Sequence, residues 1–417
     1  MREMKDSGIS WVGEIPTNWT IGRIGGLYSL RNQKVSDKDY EPLSVTMKGV
    51  LPQLETAAKT NDGDNRKLVR KGDFAINSRS DRRGSCGIAD RDGSVSLINT
   101  ILKPRNQMNA RYYNWLFHTP MFADEFYKWG HGIVDDLWST NWEEMKKIQI
   151  PVPSLAEQQR IADFLDRECG KIDGLKADIQ AQIDTLEQYK RSVITEAVTH
   201  GLNPSAPMKD SAVWFGKIPE TWSVVKGKYV FRQRNDRGNN VTLQLLSPTQ
   251  KFGVIPQEKY EELTGMNAVK LNDNTNYALL KTIHKGDYCI SLRSFQGGFE
   301  YSEYEGVVSP AYQVFYPIIT IADGYYKYLF KEKGFIDVMN SYTMSLRDGK
   351  NIAFDDFGDT FIPVPPLDEQ QGIADYLDNK CAEIEQIIAD KKSQIETLDG
   401  YKKSLIYEYV TGKKEVG

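Results

Sequence analysis

The stretch IPVPSLAEQQRIADFLD, at residues 150–166, returns almost unchanged as IPVPPLDEQQGIADYLD at residues 362–378. A duplicated catalytic motif would be expected to carry reactive groups. Neither copy contains a His, a Cys or a Gly-rich loop, and Pro, Gln, acidic and apolar residues dominate both. The repeat therefore indicates architecture, and the function has to be sought in the segments around it.

The repeat extends well beyond these stretches. Residues 150–199 match residues 362–411 at 28 of 50 positions, and WVGEIPTNW at residues 11–19 returns as WFGKIPETW at residues 214–222. The segments between these repeats match far less well. This contrast predicts two domains that share a scaffold and differ in surface residues, although drift after gene duplication would also explain the divergence.

Each IPVP stretch leads into a predicted long helix. Apolar residues recur at a spacing near 3.5, which is typical of a helix that packs along one partner helix. Ser154 and Glu157 form a capping-box pattern at the start of the first helix. The apolar residues of the two predicted seams are Ile161, Leu165, Ile172, Leu175, Ile179, Ile183, Leu186, Tyr189 and Val193, then Ile373, Leu377, Ile384, Ile395, Leu398 and Leu405.

The order of the segments predicts the architecture. The turn HGLNPSAP at residues 200–207 is too short to let the second helix run parallel to the first, so the second helix must run back along it. The variable segments show short β-rich runs broken by Gly and Pro. The predicted fold class is α+β or mixed: two similar mixed α/β domains joined by two long helices that form an antiparallel coiled coil, a pseudo-twofold internal repeat. The predicted domain bounds are 1–150, 151–200, 201–361 and 362–417.

Composition excludes several classes of protein. Apolar runs are too short to cross a bilayer, and the charged N-terminus lacks the apolar region of a secretory signal. Four cysteines stand far apart, with no CxxC pair, which argues against a zinc site and predicts a cytoplasmic location. The net charge of −4 does not exclude nucleic acid, because a local basic face can bind phosphate on an acidic protein.

At the level of whole motifs, the sequence resembles the specificity (S) subunits of type I restriction–modification systems. The resemblance covers essentially the whole chain and rests on three doubled motifs in a fixed order. These are GEIPTNW/GKIPETW, the two IPVP helix starts, and LEQYKRSVITEAVTHG/LDGYKKSLIYEYVTGK at the helix ends. It implies two target-recognition domains, each reading one half of a bipartite, asymmetric double-stranded DNA site. It also implies that the helices set the gap between the half-sites.

The resemblance further implies partners and cofactors. Two methyltransferase (M) subunits would dock on the helices, and restriction (R) subunits would join the complex. S-adenosylmethionine, ATP and Mg would belong to those partners, and this chain would carry no cofactor and no catalytic residue. The sequence agrees, since it contains no GxxxxGK[ST], HExxH or GxSxG motif and no Asn-Pro-Pro-Phe/Tyr stretch.

Residues that suit base and phosphate contacts cluster in two places in each copy. The Gly-ended turn at residues 76–87 aligns with residues 290–298, and the segment at residues 131–147 precedes the IPVP joint as residues 342–351 do. A solvated hairpin tip is the alternative interpretation. The predicted DNA-binding residues are Asn77, Arg79, Ser80, Arg82, Arg83, Ser139, Thr140, Asn141, Lys146, Arg293, Ser294, Gln296, Arg347, Lys350 and Asn351.

Two further groups of repeated residues are candidates for a functional role. The helix starts offer Glu157, Gln158, Gln159, Glu369, Gln370 and Gln371, which are predicted to bind a methyltransferase subunit, with helix capping as the alternative. The repeated tryptophans could stack on bases. Because they are duplicated together with the Ile-Pro turns, we predict that they are core anchors: Trp11, Trp19, Trp214 and Trp222.

Two rival functions are open at this level. A non-catalytic scaffold whose two domains bind proteins would need no loop arginines, and those arginines favour DNA recognition. A stand-alone methyltransferase is disfavoured because the motifs of that class are absent.

Overall fold

The computed structural model describes residues 2–53, 63–79, 82–105, 108–133, 138–237, 243–266, 277–290, 298–342 and 352–417. The chain forms two compact units, Met1–Gln180 with Lys392–Gly417, and Ala181–Lys391. A first long helix, Leu155–His200, and a second long helix, Leu367–Val410, contribute to both. Each unit thus holds one variable domain, the first part of the helix after it and the last part of the other helix.

Short strands and helices build the domain of the first unit. The strands are Met4–Asp6, Glu14–Pro16, Thr20–Arg23, Tyr28–Arg31, Lys34–Val35, Leu43–Thr46, Gly49–Pro52, Arg66–Val69, Phe74–Asn77, Cys86–Ile88, Gly93–Val95, Asn99–Pro104 and Gln149–Val152. The short helices are Ile24–Leu27, Ala110–Phe117, Pro120–Lys128 and Trp142–Met145.

The domain of the second unit has the same kinds of elements. Its strands are Met208–Asp210, Lys217–Pro219, Ser223–Lys226, Phe231–Arg234, Leu246–Thr249, Gly253–Pro256, Lys281–Ile283, Tyr288–Ile290, Phe299–Tyr301, Gly306–Val308, Gln313–Pro317 and Phe361–Val364. Its α-helices are Gln257–Thr264, Asp323–Leu329, Lys333–Ser341 and Phe354–Asp359, and its 3₁₀ turns are Gly227–Tyr229 and Tyr277–Leu279.

A four-stranded antiparallel sheet lies at the centre of each domain, and the strand order is the same in both. In the first domain the order is Cys86–Ile88, Phe74–Asn77, Asn99–Pro104, Tyr28–Arg31. In the second it is Phe299–Tyr301, Tyr288–Ile290, Gln313–Pro317, Phe231–Arg234. The two variable segments therefore share a fold despite their different sequences.

The repeated IPVP stretches form strands. Gln149–Val152 pairs antiparallel with Thr20–Arg23, and Phe361–Val364 pairs in the same way with Ser223–Lys226. Each is a two-stranded sheet, so both members are edge strands, where a proline that lacks an N–H is tolerated. The IPVP motif therefore closes each domain on the strand that follows its repeated tryptophan, just before the long helix begins.

Repeated aromatic residues hold each domain to the end of a long helix. Trp19 and Trp222 are fully buried and meet Tyr112 and Tyr325 edge-on, with ring centroids 6.5 and 6.2 Å apart. In the first unit the Tyr112 hydroxyl donates to the Val410 carbonyl at 2.8 Å. In the second unit the Tyr325 hydroxyl donates to the Val198 carbonyl, also at 2.8 Å. The predicted role of Trp19 and Trp222 as core anchors is confirmed.

The other two repeated tryptophans also belong to the domains' own packing. Trp11 is buried and meets Phe122 edge-on. Trp214 is half-buried and donates its indole N–H to the Phe361 carbonyl at 2.8 Å. None of the four tryptophans is placed as an open stacking platform for a base.

The long helices pack against each other within each unit. In the first unit Lys402 pairs with Asp173 at 2.7 Å, and Lys176 pairs with Asp399. In the second unit Lys190 pairs with Glu385. The two residue numbers total 575 in every one of these pairs, so both units show the same antiparallel register. The predicted fold class is confirmed, with antiparallel pairing inside each unit.

The apolar seam is narrower than the sequence predicts. Ile161, Leu165 and Ile172 are buried, but Leu175 is 53% exposed and Tyr189 is 49% exposed. A helix that packs on a single partner covers only one narrow stripe of its surface, and these two positions fall outside it. Their inclusion in the predicted seam was wrong.

Candidate nucleic-acid interface

Two segments predicted from the sequence to contact DNA meet on one surface of the first unit. Arg79, just beyond the strand Phe74–Asn77, forms an antiparallel bridge with Ser139. The adjacent Thr140 donates its backbone N–H to the Ser78 carbonyl at 2.9 Å. Backbone pairing therefore fixes the turn after the strand against the segment that precedes the IPVP joint.

Arg79 has an exposed side chain that could contact DNA. Within the described ranges no carboxylate pairs with its guanidinium. The backbone N–H of Arg79 donates to the Asn77 side-chain oxygen at 3.0 Å, and Asn77 is itself buried. Asn77 thus shapes the turn that presents Arg79, and it has little surface of its own to offer to a base.

The neighbouring arginines differ from Arg79. Arg83 pairs with Asp124 at 3.0 Å, and its guanidinium carbon lies 3.7 Å from the ring centre of Tyr127. Arg82 is exposed and takes part in an interaction of its own. Arg83 therefore fastens the turn to the helix Pro120–Lys128, and its guanidinium is already engaged by a carboxylate and an aromatic ring.

In the second predicted segment, residues 131–147, several polar side chains form hydrogen bonds and ion pairs within the domain. The Thr140 hydroxyl donates to the Phe126 carbonyl at 2.7 Å, and Thr140 is 2% exposed. Asn141 caps the helix Trp142–Met145 by accepting from the Glu144 N–H at 3.1 Å, and Lys146 pairs with Glu143. The burial of Thr140 contradicts its predicted contact with DNA. The Asn-x-x-Glu spacing at Asn141 was a capping signal that the sequence already contained.

One exposed residue of this surface was not singled out from the sequence. His131 exchanges backbone hydrogen bonds with Ser139 at 3.0 and 3.1 Å, so Ser139 lies between His131 and Arg79. The signal that could have identified it is its position at the start of the predicted segment, where it has the hydrogen-bonding groups for a base edge or a phosphate.

The remaining predicted DNA-binding residues lie outside the described residues, and their contact with DNA stays a prediction from the sequence. They are Ser80, Arg293, Ser294, Gln296, Arg347, Lys350 and Asn351.

The residues at the helix starts divide into buried and exposed ones. Gln158 accepts from the Asn109 N–H at 2.9 Å and donates to the Pro153 carbonyl at 2.9 Å. Gln370 does the same with the Ala322 N–H and the Pro365 carbonyl, again at 2.9 Å. Both glutamines are buried and act inside the domain, which contradicts their predicted contact with a partner subunit.

The other members of the predicted partner set differ in exposure. Ser154 accepts from the Glu157 N–H at 3.3 Å, but the buried Glu157 carboxylate pairs with Arg2, so only half of the capping box forms. Gln159 and Gln371 are exposed, and Glu369 is half-buried. These three keep a surface for a partner, and their role stays a prediction.

The buried glutamines allow a matched test of stability. Replacing Gln370→Ala leaves the Ala322 N–H and the Pro365 carbonyl without partners, at a cost of about 1–3 kcal/mol for each buried group. We expect the urea midpoint of unfolding to fall. Gln371→Ala, on the exposed neighbour, should change stability by no more than about 0.5 kcal/mol. Equal midpoints for the two variants would contradict this assignment.

Metal and membrane sites find no support in the part of the chain that is described. None of its groups of His, Cys, Asp and Glu side chains could hold a metal ion. No helix within these ranges is long and apolar enough to cross a membrane.

Comparisons with known proteins agree with the motifs. The chain is 25% identical over 285 residues to a protein named as the MjaX type I restriction enzyme specificity subunit of Methanocaldococcus jannaschii, covering 67% of this chain. It is 26% identical over 227 residues to the MjaVIII specificity subunit of the same organism, covering 52% of this chain. The chain spans about 62% and 50% of the lengths of these relatives.

Solved structures show the same fold. A chain from a study of complex assembly and conformational transition of the type I R-M system superposes with a TM-score of 0.69, covering 96% of this chain and 99% of that one, at 14% identity. The HsdS subunit from Thermoanaerobacter tengcongensis gives a TM-score of 0.50 over 96% of this chain and 98% of that one, at 15% identity.

The family model described as "Type I restriction modification DNA specificity domain" matches the chain twice, at residues 16–185 and at residues 220–397. Each match begins at the end of the repeated Ile-Pro stretch or one residue after it. It then runs through a variable domain and ends within a long helix. Since the two matches cover well over half of the sequence, the chain belongs to the family of type I restriction–modification DNA specificity proteins.

Proposed function

We propose that this chain is the DNA-recognition subunit of a type I restriction–modification complex. Each variable domain reads one half of a bipartite, asymmetric duplex site, and the two long helices set the gap and bind two methyltransferase subunits. One observation carries the proposal: the same domain fold occurs twice, with equivalent core contacts at Trp19 and Trp222 and different surface loops.

The chemistry of the complex belongs to its other subunits in this proposal. The methyltransferase subunits bring S-adenosylmethionine, and the restriction subunits bring ATP and Mg. This chain binds, orients and spaces the DNA. A cytoplasmic location follows from the role, and it fits four cysteines that are all buried and unpaired.

The loop surface of the first unit suits a base reader. When backbone pairing already holds the turn that carries an exposed arginine, binding need not order the backbone as well as the side chain. Its guanidinium can donate two parallel hydrogen bonds to the O6 and N7 of guanine. Arg79 meets these conditions, since Ser139 fixes its backbone and its side chain remains exposed.

Salt dependence separates this proposal from the rival scaffold function. Each phosphate contact releases counterions, so the logarithm of the DNA-binding constant should fall linearly and steeply as the logarithm of salt concentration rises. We expect this slope for the chain assembled with its methyltransferase subunits. Assembly with those subunits but no DNA binding at low salt would favour a scaffold and contradict the proposal.

The arginines give a residue-level prediction. Arg79→Ala should weaken recognition of one half-site by about 1–3 kcal/mol if the contact is to a base edge, and Arg293→Ala should do so in the other half-site. Arg79→Lys is the matched control, because it keeps the charge and loses the planar fork. A base contact predicts loss with both substitutions at Arg79, and a phosphate contact predicts rescue by Lys. Unchanged affinity and specificity in Arg79→Ala would mean that Arg79 is only a surface charge.

A further inference from the structure

The two variable domains keep one β-hairpin in common. Residues 43–52 read LSVTMKGVLP, and residues 246–256 read LSPTQKFGVIP, with one extra residue in the second turn. The hydroxyls of Thr46 and Thr249 each donate to the carbonyl of the glycine across the turn, at 3.0 Å. Leu43 and Leu246 are buried at the base of the hairpins. Their sequence and hydrogen bonding are thus retained in segments that otherwise differ.

Each hairpin is pressed against the edge strand of the central sheet. A Cβ atom added to Gly87 would lie 2.7 Å from the Gly49 Cα, and one added to Gly253 would lie 2.9 Å from the Tyr301 carbonyl oxygen. Val254 also bridges to Ser302. The backbone of each hairpin therefore packs directly against the edge strand, with no side chain between them.

A groove lies beside each hairpin, entirely within one unit. The first encloses about 730 Å³ and the second about 510 Å³. The walls match position by position. Each groove is lined by a lysine of the hairpin turn, an acidic residue just after the edge strand, an aromatic residue of a short helix and an isoleucine of a long helix. In the first groove these are Lys48, Asp90, Trp115 and Ile406. In the second they are Lys251, Glu303, Tyr328 and Ile194.

The aromatic side chains of the two grooves are held in the same way. The Trp115 indole N–H donates to Asp166 at 2.7 Å, and the Tyr328 hydroxyl donates to Asp378, also at 2.7 Å. Beside each aromatic side chain an ion pair joins the two long helices within the unit. The pairs are Asp173–Lys402 and Glu385–Lys190.

This retention points away from DNA as the occupant. Surfaces that read different half-sites should diverge, as the loops around Arg79 and Arg293 do in sequence. Charge in both grooves is mixed, with two lysines and two carboxylates in the first and five lysines and four carboxylates in the second, so neither groove has the strong positive charge of a surface that binds a phosphate backbone. The alternation of lysine, acid and apolar groups suits a protein surface that carries both signs of charge.

We propose that each groove is the docking site of one methyltransferase subunit, which contacts the hairpin turn and the paired long helices together. This inference rests on the proposed function, in which one chain binds two copies of that subunit. A partner present twice requires two equivalent sites, and within the described residues these grooves keep matched chemistry in both domains.

Charge reversal at the exposed hairpin turns tests the proposal. The variants are Met47→Asp with Lys48→Glu in the first unit, and Gln250→Asp with Lys251→Glu in the second. Native mass spectrometry of the full-length chain with its methyltransferase subunit counts the bound copies. We expect two copies on the unaltered chain, one on either turn variant, and none on the combined variant at concentrations that saturate the unaltered chain. Asn114→Trp and Lys327→Trp, at equivalent places on the groove walls, should each also remove one copy.

Lys38→Glu is the control for a charge reversal at an exposed lysine outside the groove of the same unit, and it should keep two copies. Two copies bound with unchanged affinity by both turn variants and both wall variants would overturn the groove while leaving the proposed function intact. An unaltered chain that binds no methyltransferase subunit would overturn the proposed function and the groove together.

Discussion

Replacing residues 24–148 with the matching segment of another specificity subunit is expected to change one half of the methylated DNA sequence completely and leave the other half unchanged. The boundaries follow from the structure. Thr20–Arg23 and Gln149–Val152 form one strand pair, so these boundaries keep the closure of the domain and Trp19, while the aromatic partner of Trp19 at position 112 must be supplied by the incoming segment. The replaced segment carries the loop surface with Arg79 and Ser139.

The reciprocal exchange is the matched control. Residues 227–360 lie inside the equivalent strand pair of Ser223–Lys226 with Phe361–Val364. Their replacement should change only the other half of the site. Sequencing of methylated adenines in cells that express each chimera with the cognate methyltransferase subunit measures both outcomes. If either exchange altered both halves, the two domains would not be independent readers.

Lengthening the long helices is expected to widen the gap between the two half-sites. Four residues inserted after Gln180 add about 6 Å at 1.5 Å per residue, which corresponds to one or two base pairs of DNA. They also rotate the helix by about 40°, which shifts its seam away from the partner helix. Within the first unit, the register of the ion pairs Asp173–Lys402 and Lys176–Asp399 places Ile395 opposite Gln180.

A second insertion of four residues after Gln394 restores the pairing and serves as the compensated variant. We expect the paired insertion to assemble better than the single one, with both half-sequences retained and the gap longer by one or two base pairs. Methylation at the original gap by an intact, active complex with the paired insertion would show that something other than these helices sets the distance.

The duplication made the fold predictable from the sequence. The heptad spacing marked helices that contain 46 and 44 residues, and the position of HGLNPSAP implied the antiparallel pairing that each unit shows. The repeated tryptophans were identified as core residues for a physical reason, since an anchor is retained when a recognition surface diverges. Side chains at the edge of the seam, such as Leu175, could not be assigned because periodicity alone does not give the width of a contact.

Individual site residues were less predictable because the same type of polar side chain can contact DNA, form an ion pair or satisfy a buried backbone group. Arg79 and Arg83 stand four residues apart in one loop, yet Arg83 packs on Tyr127 and pairs with Asp124. Gln158 and Gln370 look like surface residues of a helix start, but their amides satisfy buried backbone groups in the neighbouring domain segments. Such roles depend on residues about 50 positions away in sequence, which local patterns do not reveal.

The most direct test of the central claim is the methylated sequence itself. The unaltered chain would be expressed with its cognate methyltransferase subunit in cells that lack other adenine methylation, and the methylated adenines would be mapped across the genome. Two different domains on one chain predict a single site made of two unlike short sequences separated by an unspecified gap of fixed length. A continuous site, a palindrome, or two half-sequences at variable spacing would contradict the account.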